Sequence, residues 1–182
     1  MKLMVSLYGV ALSIICSVAF AKVISESSRP VEKAVCVLYN PFNSITGLIH
    51  FQKTEEGILI TGKIIGLEPG LHAFHIHEKG DIRDPKCSLV GAHFNPYSKK
   101  HGAPTDTTRH VGDLGNIYAD DNGVALISMT NKLVGLEGPT CVIGRSLVVH
   151  RARDDMGRGR EFVSKLTGNA GERITCGVIG YA

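Results

Sequence analysis

The chain has 182 residues, with 20 Lys and Arg against 17 Asp and Glu, for a formal net charge of +3. One domain with a sizeable core fits this length. A balance so near neutral gives no basis for a nucleic-acid-binding surface, and none is expected as a partner.

Residues 1–21 read as a secretory leader. Lys2 supplies a short positive start, Leu7 to Phe20 is largely apolar, and Ala19-Phe20-Ala21 is a small-x-small cleavage site. The apolar run is shorter than the roughly 20 residues a span needs, and no later run is long enough, so no transmembrane segment is expected. Removing the leader takes away one lysine and no acid. Residues 22–30 are polar, end in Pro30, and read as a short mobile lead-in. The folded domain then covers 31–182.

From residue 31 the pattern is β. Glu32 to Tyr39, Thr46 to Phe51, Gly57 to Ile65 and His72 to His77 follow at short spacing. Asn40-Pro41, Glu55-Glu56-Gly57 and Glu68-Pro69-Gly70 separate them as turns. Gly115 to Ala119, a hairpin turn at Asp121-Asn122-Gly123, Val124 to Met129, Ser146 to His150 and Ile174 to Ile179 complete the set. No segment carries a helical period over ten or more residues. Many short strands with frequent turns predict an all-β sandwich or barrel. Residues 78–112 and 151–173 break the rhythm. Structureless loops of this length inside a domain are usually functional.

The chemistry lies at the ends of those loops. Six of the eight histidines and one aspartate fall in the order His75-x-His77, His93, His101, His110-x-x-Asp113, His150. Imidazole and carboxylate are ligands of borderline metals such as zinc and copper. Seven ligands exceed one tetrahedral site but suit two sites that share a ligand. His75 and His77, two apart in a strand, project to one face. His150 ends another apolar strand and can complete that set. His93, His101, His110 and Asp113 make a closed three-imidazole, one-carboxylate site of the structural zinc kind. The more open imidazole set suits copper(II). His50 is expected to be an edge or turn histidine, and His72 a strand or packing one.

Of five cysteines, Cys16 lies in the leader. Secretion favours a disulfide, and four remaining cysteines allow three full pairings. Cys36 sits in an apolar run and reads as a buried small hydrophobe. Cys87 and Cys176, near Gly- and Pro-containing segments, are the preferred pair.

Four segments, Gly70–Glu78, Gly91–Pro96, His110–Asn116 and Gly168–Gly180, closely resemble copper/zinc superoxide dismutases, and the resemblance runs from about residue 31 to the C-terminus. It implies an eight-stranded antiparallel Greek-key barrel with two long functional loops. It implies copper on His75, His77, His93 and His150, and zinc on His93, His101, His110 and Asp113, with His93 shared as an imidazolate. Asp154 would link the non-ligating nitrogens of His75 and His101, and Cys87–Cys176 would be the intrasubunit disulfide. Arg173 would bind the superoxide anion beside copper, and Thr167 would narrow the channel. In the family reaction one superoxide reduces copper and leaves as O₂; a second reoxidises it and leaves as H₂O₂, with His93 carrying a proton. Zinc has no redox chemistry of its own.

The resemblance also implies a homodimer, a secreted enzyme of antioxidant defence, and a copper chaperone as possible partner. The chain itself has no Cys-x-Cys tail or Cys-x-x-Cys head of a chaperone, and its zinc loop is complete, unlike copper-only relatives. A non-catalytic metal-binding domain on the same fold would lack a copper ligand or Arg173, and both are present. Two departures stand out. Phe162, Val163 and Leu166 occupy places where cytosolic relatives carry an acidic pair and a lysine, so Lys165 or Arg160 is expected to steer the anion instead. Lys79 stands at the dimer contact where many relatives have an apolar residue; Ile143, Gly144, Val178, Ile179, Gly180 and Tyr181 remain compatible with a dimer.

Overall fold

The computed structural model describes residues 30–182; the leader and nearly all of the lead-in lie outside the described residues. Eight strands form in chain order: β1 Lys33–Tyr39, β2 Thr46–Thr54, β3 Gly57–Ile65, β4 Gly70–His77, β5 Asp113–Ala119, β6 Val124–Asn131, β7 Ser146–His150 and β8 Arg173–Tyr181. They close into an antiparallel barrel in the order β1-β2-β3-β6-β5-β4-β7-β8. The connections from β3 to β4 and from β6 to β7 each pass over two intervening strands, which is the Greek-key pattern.

Side-chain alternation sets which face of each strand enters the core. In β1, Ala34, Cys36 and Leu38 are buried, while Val37 and Tyr39 are exposed. The β2–β3 hairpin keeps one register over its full length, Thr46 opposite Ile65 through Thr54 opposite Gly57. At the β5–β6 turn, Asp120 accepts hydrogen bonds from the Asn122 and Val124 amides, and Gly123 takes the positive φ of 72° that the tight turn demands.

β4 and β7 depart from the alternation. β7 is buried throughout, and β4 is buried from His72 to His77. Phe74, Ile76, Leu147 and Val149 belong to the barrel core. The residues between them, His75, His77, Val148 and His150, point out of the barrel and are nevertheless buried. The loops cover them there. Val148 packs with Cys87, Val90 and Cys176 in a second small apolar cluster outside the barrel. The histidines of β4 and β7 singled out by the sequence pattern, His75, His77 and His150, therefore sit on the outer face of these strands, beneath the loops.

The first long loop, 78–112, is stitched along β4. Glu78 N donates to Ala92 O, Phe94 N to Ile76 O, Ile76 N to Gly112 O, and Gly112 N to Phe94 O, all at 2.8–2.9 Å. The second, between β7 and β8, contains one helical turn, α1 Ser164–Thr167. A third connection, 132–145, carries a short 3-10 turn at Gly138–Thr140 and is drawn in by a bridge between Gly135 and Cys141. The sequence pattern marks only the first two as special. No helix among the described residues is long and apolar enough to cross a membrane.

Candidate metal centre

Two ligand sets converge under the loops. The donor atoms of His75, His77, His93 and His150 all lie within 4.8 Å of one another, as do those of His93, His101, His110 and Asp113. All seven residues are buried, and His93 belongs to both sets. β4 supplies the first two histidines, the end of β7 supplies His150, the first loop supplies His93, His101 and His110, and Asp113 opens β5.

Each ring of the first set spends one nitrogen on the protein and leaves the other toward its neighbours. His75 Nε2 bonds Asp154 Oδ2 at 2.8 Å, and its Nδ1 is buried without a partner. His77 Nδ1 donates to Gly91 O at 2.9 Å, and His150 Nδ1 to Gly171 O at 3.2 Å. Their Nε2 atoms then face each other at 3.3 Å. With Nδ1 as the donor in both neutral rings, both Nε2 atoms are lone-pair acceptors. Two acceptors and an orphaned third nitrogen in a buried place fit a cation between them. His93 Nε2 is likewise buried and unpartnered.

In the second set three imidazoles surround one carboxylate oxygen. His93 Nδ1, His101 Nδ1 and His110 Nδ1 lie 2.9, 3.0 and 3.1 Å from Asp113 Oδ1. The His101 contact lacks hydrogen-bond geometry, so its Nδ1 counts as unsatisfied despite the short distance. Four donors at such spacing fit a tetrahedral ion. Asp113 Oδ2 accepts from the amides of Gly102 and His110, which fixes the carboxylate. Arg109 is buried beside it and donates to the carbonyls of His110 and Asp113.

Asp154 lies between the sets. Its Oδ2 takes His75 Nε2 and its Oδ1 takes His101 Nε2, each at 2.8 Å. The donor atoms of His75, His101 and Asp154 likewise lie within 4.8 Å of one another. The rings reach Asp154 through the nitrogens not turned to the cluster, so its carboxylate fixes the orientation of both histidines. Gly168, at φ 70°, is packed against Asp154 and His101 so closely that a Cβ there would overlap both side chains.

Burial and mutual repulsion keep His77, His93 and His150 neutral. Burial, with the neighbouring histidines, lowers His93 and His150 to about 3, and burial drives His77 well below its ordinary value. Burial also opposes charge on His101, but the carboxylates of Asp113 and Asp154 beside its ring outweigh it and raise the group to about 9. Burial works against Asp154 as an anion, yet His101 and His75 hold it at about 2; the three histidines hold Asp113 lower still.

Arg173 opens β8 beside this set. Its Nη1 donates to Cys87 O at 2.7 Å and its Nη2 to Gly91 O at 2.6 Å. Gly91 O therefore receives both Arg173 and His77, which fixes one against the other. Cys87 and Cys176 are bonded, with Cα atoms 6.1 Å apart. The bridge tethers the loop segment whose carbonyls hold Arg173. Cys36 is fully buried, and burial pushes its thiol up to about 12.

The family model for copper/zinc superoxide dismutase matches residues 45–179. The chain belongs to the copper/zinc superoxide dismutases. It is 50% identical over 152 residues to the extracellular superoxide dismutase [Cu-Zn] of Brugia pahangi, covering 82% of this chain and 76% of that one. A solved structure described as the clock protein EA4 is 44% identical with a TM-score of 0.79, covering 84% of this chain and 96% of that one. The protein is thus an oxidoreductase that converts superoxide to O₂ and H₂O₂ with copper and zinc.

Some contributors to this dismutase site carry no sequence signal. His72 is buried, with its ring nitrogens 2.9 Å from His150 O and 2.8 Å from Glu68 O. It lies in strand β4, as expected, and also braces the strand end that carries His150. His50, in contrast, is an exposed residue of β2. In the second loop, the Lys165 ammonium donates to Gly157 O, and Arg160 is exposed. Thr167 Oγ1 donates back to Val163 O at 3.2 Å. At the expected dimer contact, Ile179 is fully buried in the barrel core and has no surface to offer; Val178 and Tyr181 are exposed.

Proposed function

We propose that His75, His77, His93 and His150 hold the copper of this dismutase, and that His93, His101, His110 and Asp113 hold the zinc. The observation that carries this reading is the shared orientation of the ring nitrogens, one committed to the protein and the other turned to the cluster. Copper supplies the one-electron redox cycle that superoxide needs, and zinc, which has none, gives structural order. Arg173 binds the incoming anion through the donors it does not spend on Cys87 and Gly91, by charge-assisted hydrogen bonds. His93 Nε2 takes up a proton while O₂ leaves and gives it toward peroxide in the other half of the cycle. Asp154 keeps His75 and His101 in the required tautomers and orientations.

Metal counting by mass spectrometry, with superoxide decay on the same samples, tests this. The unaltered protein is expected to carry one copper and one zinc. His150→Ala is expected to lose copper and activity while retaining zinc, and His110→Ala to lose zinc first. Loss of the opposite metal in either variant overturns the assignment.

Residues 1–21 are further proposed as a leader that directs the enzyme out of the cell, 22–30 as a lead-in, and 31–182 as the catalytic domain. The name of the Brugia pahangi relative and the disulfide support secretion. An amino terminus at Lys22 on protein collected from medium is the expected result. A homodimer is proposed through Gly144, Val178 and Tyr181, with exposed Val37 on the neighbouring strand β1. A monomeric mass in sedimentation at micromolar protein would overturn it. Copper is proposed to arrive from a copper chaperone, and protein made in cells lacking one is expected to be copper-poor.

A further inference from the structure

The rim of the second loop carries an apolar cluster that the dismutase reaction does not use. In α1 the Ser164 hydroxyl is turned inward, where it donates to Asp155 Oδ1 at 2.8 Å and accepts from Gly159 N at 2.9 Å. The opposite side of the turn therefore faces outward. Phe162 is 76% exposed, Val163 52% and Leu166 49%. Their spacing of three and four places them side by side on that face.

The surroundings of the cluster are basic. His101 N donates to Lys165 O at 3.4 Å, which brings the end of the first loop, with exposed Lys99 and Lys100, alongside the turn. Arg160 is exposed just before it. Among the described residues Lys99, Lys100 and Arg160 enter no ion pair, whereas Arg158 is paired with Asp106 at 3.4 Å. Glu161 is the one exposed acid within the segment 158–167.

Exposed apolar side chains ringed by unpaired cations match the chemistry of an anionic lipid interface, where apolar groups enter the acyl boundary and cations meet the head groups. A polyanionic sugar chain would engage the cations and leave Phe162 and Leu166 in water. A second copy apposed through the same face would set cations against cations. We propose that this rim docks the enzyme on an anionic lipid surface, with Phe162 and Leu166 in the interface and Lys99, Lys100 and Arg160 at head-group level.

The chain contains no tryptophan, so Phe162→Trp places a single indole reporter at the contact. In the processed, metal-loaded protein its emission is expected to shift to the blue with vesicles of phosphatidylcholine and phosphatidylserine in equal parts. Phosphatidylcholine vesicles alone are expected to give no shift, and salt to reverse it. Phe162→Ser with Leu166→Ser is expected to weaken vesicle co-sedimentation by about tenfold or more, with superoxide decay unchanged. No emission shift, or equal vesicle binding by the double variant, overturns the proposal. Heparin binding without vesicle binding also overturns it and assigns the cations to a polyanion.

Discussion

Asn116 holds Asp154 by its main chain in both directions: Asn116 Nδ2 donates to Asp154 O at 3.0 Å, and Asp154 N donates to Asn116 Oδ1 at 2.7 Å. The Asp154 carboxylate then reaches His75 on one side and His101 on the other. A strand residue of the barrel thus positions a loop carboxylate that serves both proposed metals. Outer partners of ligating histidines typically matter by about 10–100-fold in metal affinity. Asp154→Ala is expected to lose both metals to a chelator within that range, and Asn116→Ala to lose them more weakly. The check is copper and zinc remaining after graded chelator dialysis. Full retention of both metals by Asp154→Ala would contradict the positioning role.

The Cys87–Cys176 bridge closes a loop across 89 residues of sequence. On the chain-entropy account, such a closure contributes about 4–5 kcal/mol. Its second effect is local, because the Cys87 carbonyl holds Arg173. Cys87→Ser with Cys176→Ser is expected to lower the denaturant midpoint and also to lower activity at full metal loading. Measuring both on one metal-counted sample separates the two effects. Unchanged activity at full loading would show that Arg173 keeps its place without the bridge.

Most of the barrel is legible in the sequence because alternation and turn chemistry act locally. The limits of β3 and β7 coincide with the apolar patterns at 57–65 and 146–150. β2 runs on to Thr54 because Gln52 and Lys53 pair with β3 while facing solvent, so their polarity hides the strand. Strand order and closure depend on pairings far apart in sequence, and they are read here from family resemblance. The histidine pattern is legible because ligation needs particular side chains. Asn116, His72 and the Gly91 carbonyl are not, since each works by a contact that has a main-chain atom on one side, which no residue type announces.

Arg173 is the residue proposed to bind the anion near His77 and His150. Losing a charge-assisted hydrogen bond costs about 1.5–3 kcal/mol, which is roughly a 10–100-fold fall in rate constant. Arg173→Ala is expected to fall within that range in superoxide decay, with copper and zinc retained. A normal decay rate in a fully loaded variant would remove Arg173 from the anion site.

Steering beyond the site is expected of Lys165 or Arg160. Lys165 is anchored through Gly157 O, so its charge has a fixed place on the loop, and Arg160 is free of ion pairs among the described residues. Exposed charges act over about 10 Å at 0.1 M salt. Arg160→Ala with Lys165→Ala is expected to slow superoxide decay several-fold at low ionic strength and to flatten its salt dependence. An unchanged rate and an unchanged salt slope would exclude both residues from steering.

Stability of the metal-free chain should peak near neutral pH, for reasons that differ on the two sides. His93 and His150 are held at about 3 in the fold, against 6.5 when exposed. Below 6.5 the unfolded chain therefore binds more protons, and stability falls as pH drops from 6.5 toward 3. Asp154, held at about 2 against 3.8, adds a further loss as pH falls through that lower window. His101 acts in the opposite sense. Raised to about 9, it contributes stability that is complete below 6.5 and lost as pH rises through 9. Thermal melts of the demetallated protein across pH 4 to 10 should trace this dome. Replacing His101 with Gln is expected to flatten the alkaline limb and to leave the His150 part of the acidic one, while the Asp154 and His93 parts shrink because His101 contributes to both. An alkaline limb that survives in His101→Gln would assign that loss to another group.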